Sequence, residues 1–189
     1  FHNFYDESEL KLIWEELDFY TKDGKLFEAK DFGGVVEKTN SKAIWLDKVY
    51  PKQYRHISNI LTVNRKIFDE KVLEAFGNIH DCCFIAKSCN YDTTKVRYYH
   101  DGNYYKPHID KTVQFLGFSY FYREPKRFKG GELIFPKYDY KFNCDNNSLI
   151  MMPGWVEHGV SQVKIQDSDY FDGYGRYAIT SFFGNKETE

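Results

Sequence analysis

From residue 81 onward the chain is built of short, β-branched and aromatic runs: CFIAKSC, KVRYYH, YKPHID, TVQFLGFSYFY, ELIFP, SLIMMP, HGVSQV and RYAITSFF. Clusters of Gly, Asn, Asp and Pro separate them, so each run predicts a strand and each cluster a turn. Many short strands at close spacing need a second β layer or a closed sheet to bury their apolar faces, which predicts a sandwich or barrel. The helical patterns precede the strands instead of alternating with them, which argues against a parallel α/β sheet. Helices packed on the outside of a β core are the expected arrangement.

Those helical patterns are two. Between Asp6 and Tyr20, apolar Leu10, Ile13, Trp14 and Leu17 fall on one helical face, and Asp6 with Glu9 three residues later predicts a capping box. A second helical region is expected from about Pro51 to Phe76, with Pro51 in its first turn and Gly77 at its end. At 189 residues and 22.5 kDa the chain fits one domain, residues 1–80 supporting a β core over residues 81–184. A formal charge of −2 gives no electrostatic reason to expect nucleic acid as a partner. The longest apolar runs fall far short of the ~20 residues of a membrane helix, so no membrane partner is expected either. Cys82, Cys83, Cys89 and Cys144 lack a C-x-x-C pair or the density of a secreted scaffold, which predicts reduced thiols and a cytoplasmic setting.

Of six histidines, two fall in β runs beside a partner. His108 and Asp110 are two apart and share a face if their run is a strand. His158, at the start of another run, is the natural third member. Two imidazoles and a carboxylate form the donor set that holds non-haem Fe(II) on one face and leaves open positions. An H-x-D pair alone is equally an ordinary surface contact, so the companions carry the argument. Arg176 is a cation opening an otherwise apolar strand, where burial demands a partner such as a carboxylate. Gly130 and Gly131 permit a tight approach of the backbone before a strand. Tyrosines in RYYHDGNYYKPH could line a pocket or simply pack.

Taken in order, Tyr99-His100-Asp101-Gly102, Tyr105-Lys106-Pro107-His108-Ile109-Asp110, Gly130-Gly131-Glu132-Leu133-Ile134-Phe135-Pro136, Pro153-Gly154-Trp155 with His158-Gly159-Val160, and Arg176-Tyr177-Ala178-Ile179-Thr180 resemble the prolyl 4-hydroxylase branch of the Fe(II)/2-oxoglutarate-dependent dioxygenases. The resemblance implies a mainly β fold with packed helices around a double-stranded β-helix, a cupin-like jelly roll. It implies iron on His108, Asp110 and His158, and 2-oxoglutarate with its distal carboxylate on Arg176. Tyr99 would bond the same carboxylate, with Tyr98 the alternative if the register slips by one. Leu133 would form an apolar wall and Thr180 would add a hydroxyl. With O2 as oxidant and ascorbate as a reductant, the implied reaction hydroxylates a substrate and yields succinate and carbon dioxide. A protein or peptide bearing proline is the implied substrate. The same chemistry on a free amino acid or another side chain is the alternative, and a non-catalytic jelly-roll binding protein a further one.

Two features depart from the pattern. Collagen-type members carry lysine where Arg176 stands, so the arginine speaks against a collagen substrate. The interval between His158 and Arg176 is longer than usual, and the surplus falls in residues 164–175. There Asp167, Asp169, Asp172, Tyr170 and Tyr174 form either an acidic, aromatic rim over the site or a solvated hairpin tip.

Overall fold

The computed structural model describes residues 1–31, 35–166 and 170–185. Helix α1 (Glu7–Lys22) starts where the capping box predicts: the Asp6 side chain accepts the Glu9 N–H and the Glu9 carboxylate accepts the Asp6 N–H. Its buried stripe includes Ile13, Leu17 and Tyr20. After it come β1 (Lys42–Trp45), a strand absent from the sequence expectation, and the short α2 (Leu46–Val49).

The second helical region is broken where one helix was expected. A 3₁₀ segment (Lys52–Ile57), α3 (Asn59–Val63), a second 3₁₀ segment (Asn64–Phe68) and α4 (Glu70–Gly77) follow one another. Ser58 and Asp69 take extended backbone angles at the breaks, and the Ser58 hydroxyl accepts the Leu61 N–H to cap α3. The Glu16 carboxylate of α1 holds that break, accepting from Ser58 Oγ and the Ile60 N–H. A tertiary contact thus overrides a continuous helical pattern. The run CFIAKSC is likewise no strand: residues Asp81–Ser88 form a 3₁₀ helix that buries Cys83 and Ala86 and leaves Phe84 and Ile85 exposed. A short apolar run does not by its period distinguish the two.

The remaining strands are β2 (Tyr91–Tyr99), β3 (Tyr105–His108), β4 (Phe115–Phe121), β5 (Phe128–Lys129), β6 (Leu133–Phe135), β7 (Tyr140–Phe142), β8 (Ser148–Pro153), β9 (His158–Val160), β10 (Lys164–Ile165) and β11 (Arg176–Gly184). A five-stranded antiparallel sheet runs β1-β2-β11-β4-β8, a four-stranded sheet runs β3-β9-β6-β7, and β10 pairs with β5. This is a jelly-roll core. Strand alternation sorts the large sheet's side chains into two cores. Val96, Tyr98, Phe121, Tyr177, Ile179 and Phe183 pack outward against Ile13, Leu17, Tyr20, Ile60 and Phe76 of the helical layer. Tyr99, Leu116, Phe118, Tyr120 and Ala178 pack inward with Leu133, Val160 and Val163. Both faces are covered, so β4 and β11 read as near-continuous buried runs.

The 164–175 stretch contributes β10 and a 3₁₀ turn, Tyr170–Asp172. Tyr170 packs edge-on against Tyr98 on the helical side of the sheet, and Asp172 faces Arg127. Neither lines the inner cavity; Asp167 and Asp169 lie outside the described residues.

Candidate active site

The site grows out of a strand pairing. Strands β3 and β9 are antiparallel, with Tyr105 opposite Val160 and His108 opposite His158, and the register shifts between the two pairs. Across Lys106-Pro107 the backbone of β3 approaches Gly159 so closely that a Cβ there would lie 2.8 Å from the Tyr105 carbonyl oxygen. The bulge therefore needs glycine opposite, and it aims both histidines at one point. Their ring centroids are 4.5 Å apart. Asp110 follows at the end of β3, its N–H donating to the Gly154 carbonyl at 3.0 Å.

His108 Nε2 lies 3.9 Å and His158 Nε2 3.7 Å from Asp110 Oδ2. One ligand atom from each of the three residues falls within 4.8 Å of the others. The orientation of each ring is fixed from behind: His108 Nδ1 is 3.0 Å from the Lys106 carbonyl and His158 Nδ1 2.9 Å from the Val156 carbonyl. A carbonyl only accepts, so each Nδ1 carries the proton and each Nε2 presents a lone pair towards the aspartate. Burial and the neighbouring His158 push the His108 pKa down to about 4, and burial lowers that of His158. Both imidazoles are neutral at pH 7, the state in which they bind metals.

A cavity of about 410 Å³ extends from these three residues between the sheets. Arg176, Tyr99, Leu133 and Thr180 all line it, so the expected metal ligands and these four expected cosubstrate residues share one space. Tyr98, the alternative to Tyr99, points to the other face, where its hydroxyl accepts the Gly175 N–H. Trp155 is exposed and packs edge-on against Phe115 away from the cavity.

Arg176 is the largest fully buried side chain. Its guanidinium lies 4.8 Å from the Tyr99 ring centre and 4.6 Å from that of Tyr120, and Nη2 donates to Cys144 Sγ at 3.5 Å. Its Nε and Nη1 are buried without a hydrogen-bond partner among the described residues. Buried guanidinium donors are costly unless an acceptor meets them. The arrangement fits a small ligand carrying a carboxylate at this end and metal-binding oxygens at the other.

Residues 94–184 match the family described as the 2OG-Fe(II) oxygenase superfamily. These residues, just under half of the chain, are similar to that superfamily. A search of curated proteins finds no match. Among solved structures, the fold of this chain is similar to a prolyl-4-hydroxylase from Pseudomonas putida, with a TM-score of 0.60 and 15% identity over 98% of this chain and 91% of the other. It is also similar to the viral collagen prolyl hydroxylase of Paramecium bursaria Chlorella virus-1, with a TM-score of 0.54 and 16% identity over 97% and 92% of the two chains. An oxidoreductase of the 2OG-Fe(II) oxygenase family from Burkholderia pseudomallei gives a TM-score of 0.52 at 14% identity over 77% and 65%. At these identities the likeness is one of fold.

The matched family implies Fe(II), 2-oxoglutarate and O2, and the residues of this cavity fit them. Three neutral or anionic donors face one point, and a buried cation with unmet donors stands at the far end of the same cavity. Sequence reasoning passed over Tyr120 and Cys144, which flank Arg176, and Lys95 and Arg97, which line the cavity from β2. The signal for the last two was present: Lys95, Arg97 and Tyr99 are spaced at two residues in a strand, so a Tyr99 that faces inward brings both cations with it. Lys95 Nζ sits 3.7 Å from the Trp45 ring centre, and burial together with Arg97 pushes its pKa down to about 7.

Proposed function

We propose that this chain is an Fe(II)- and 2-oxoglutarate-dependent hydroxylase of peptidyl proline, with residues 1–189 acting as a single oxygenase domain in the cytoplasm. The observation that carries the chemistry is the placement of a His-Asp-His donor set and a buried, incompletely satisfied Arg176 in one cavity. Support for the proline substrate comes from the fold likeness over nearly the whole chain to two prolyl hydroxylases.

In this reading His108, Asp110 and His158 hold the metal, each imidazole kept in its binding tautomer by a backbone carbonyl. Arg176 takes the distal carboxylate of 2-oxoglutarate through Nε and Nη1, a charge-assisted pair that Tyr99 and Tyr120 shield with their ring faces. Tyr120 brings a buried hydroxyl to the same end, beside Cys144. Leu133 and Val160 exclude water along the wall, and Thr180 offers a hydroxyl to the cavity. The bound iron with 2-oxoglutarate and O2 supplies the oxidant that converts a C–H bond to C–OH, releasing succinate and carbon dioxide. The protein's share is to hold the cosubstrate and to set which C–H bond faces the metal.

The test supplies Fe(II), 2-oxoglutarate, O2 and ascorbate as reductant with a panel of proline-containing peptides, reading succinate and a hydroxyl mass shift. A shift on proline, lost in Asp110→Ala, is the expected result. Succinate with hydroxylation of a free amino acid alone would reassign the substrate. Absence of succinate under every condition would leave a jelly-roll binding protein.

A further inference from the structure

The protein meets the Arg176 guanidinium with an acceptor from one side. Among the described residues that acceptor is Cys144 Sγ, which takes a hydrogen bond from Nη2 at 3.5 Å, while the buried Nε and Nη1 meet none. Cys144 is 9% exposed and does not line the cavity, so its sulfur stands behind the guanidinium with the open space in front.

The thiol is itself held. Its S–H donates to the Phe142 carbonyl at 3.7 Å, which leaves the sulfur lone pairs for Arg176. Phe142 ends β7 opposite Leu133 of β6, two residues beyond Gly131, where the missing Cβ makes room for the Arg176 stem. One hairpin therefore touches the arginine at both ends, the stem at Gly131 and the tip at Cys144. The rings of Tyr99 and Tyr120 flank the guanidinium, 4.8 and 4.6 Å away at their centres, but a ring face offers no directional acceptor and lets the group slide. The sulfur is the contact that fixes its depth.

Depth sets a length. A ligand that meets the His-Asp-His donor set with one end and Arg176 with the other must span the distance between them, and small displacements of a binding group are felt at the reacting end. The N–H···S contact at 3.5 Å is longer than the ~2.9 Å of N–H···O, so sulfur holds the guanidinium farther forward than an oxygen would.

We propose that Cys144 is the positioning residue of Arg176 and sets the length of 2-oxo diacid that the cavity accepts, disfavouring the acid one methylene longer than 2-oxoglutarate. This rests on the iron and 2-oxoglutarate reading above. Cys144 does not touch the cosubstrate; it backs the group that does.

Calorimetry on the Mn(II)-loaded protein with 2-oxoglutarate and 2-oxoadipate tests this. Wild type is expected to prefer 2-oxoglutarate, and a preference for 2-oxoadipate overturns the proposal. Cys144→Ala removes the acceptor and opens space behind the guanidinium, so the ratio of the two affinities is expected to move towards 2-oxoadipate by about 3–10-fold, the usual worth of one net hydrogen bond. Cys144→Ser keeps an acceptor with a shorter bond and is expected to move the ratio the same way by less. A residue needed only for folding would lower both affinities by one factor, so an unchanged ratio in Cys144→Ala overturns the proposal whatever happens to the melting temperature. If the alanine variant fails to fold, the serine variant decides by the same ratio, and a wild-type value in it overturns the proposal. Wild-type protein that binds neither acid defeats the functional reading itself, a result distinct from an unchanged ratio.

Discussion

Gly131 and Arg176 share one space: a Cβ built on Gly131 would lie 2.7 Å from Arg176 Cδ and 3.0 Å from Val163 Cγ2. The glycine also has φ of +75°, a left-handed conformation that side chains resist. Gly131→Ala is expected to displace the guanidinium and to cost about 1–3 kcal/mol of stability, the range for strain at such a position. Titration calorimetry of 2-oxoglutarate and thermal unfolding would both show the effect. Unchanged affinity for 2-oxoglutarate would mean that Arg176 does not depend on this gap.

Replacing the cation separates binding from folding. Arg176→Met removes a buried charge of which Nε and Nη1 lack partners among the described residues, so folding stability is expected to hold or rise. Binding of 2-oxoglutarate is expected to weaken by about 2–5 kcal/mol, the usual loss for one partner of a buried charge pair. Arg176→Lys, which keeps the charge without the planar fork, should fall between the two. Wild-type affinity in the methionine variant would remove Arg176 from the cosubstrate site.

Lys95 gives a pH signature to the metal-free protein. Burial and Arg97 lower its pKa from 10.5 to about 7. Unfolded, Lys95 keeps its proton up to the ordinary value; folded, it sheds it near pH 7. The unfolded state then binds more protons between the two values, so stability contributed by this group rises with pH across that window, by at most ~1.4 kcal/mol per pH unit. Urea unfolding at pH 6 to 9 is expected to show wild type gaining on Lys95→Met above pH 7. Parallel pH profiles for the two proteins would contradict the depressed pKa.

Glu16 ties the helical layer together from a buried position, accepting hydrogen bonds from Tyr20 Oη at 2.7 Å, Ser58 Oγ at 2.8 Å and the Ile60 N–H at 2.7 Å. Glu16→Ala strands all three donors and is expected to destabilise by roughly 2–4 kcal/mol, with Glu16→Gln milder. The midpoint of urea unfolding measures this. A change below ~0.5 kcal/mol, typical of surface sites, would show that water replaces the carboxylate.

The ease with which the site could be read from the chain follows from how local its signals are. His108 and Asp110 are two apart, and strand period alone puts them on one face. Their order with Gly130-Gly131, His158 and Arg176 carried the family resemblance, and the family match falls on the same half of the chain, residues 94–184. The long helix expected over Pro51–Phe76 failed because its break at Ser58 is held by Glu16, a residue in another helix, and Asp69 takes an extended conformation before α4. The strand expected at CFIAKSC failed because a run of that length buries residues equally well in a 3₁₀ turn. β1 was missed because KAIW is four residues long and becomes a strand through pairing with β2.

By itself the sequence determined the strand-rich half, the capped first helix, the donor types of the site and the alternation that groups Lys95, Arg97 and Tyr99. Each is a property of neighbours a few residues apart. Only the tertiary structure decided that His108 meets His158 across fifty residues of chain, that Tyr99 and not Tyr98 faces the cavity, and that Arg176 is sealed inside without a carboxylate partner among the described residues. Those outcomes depend on strand register and on which face of a sheet is covered by what, and register is set by pairings between distant segments that no local period encodes.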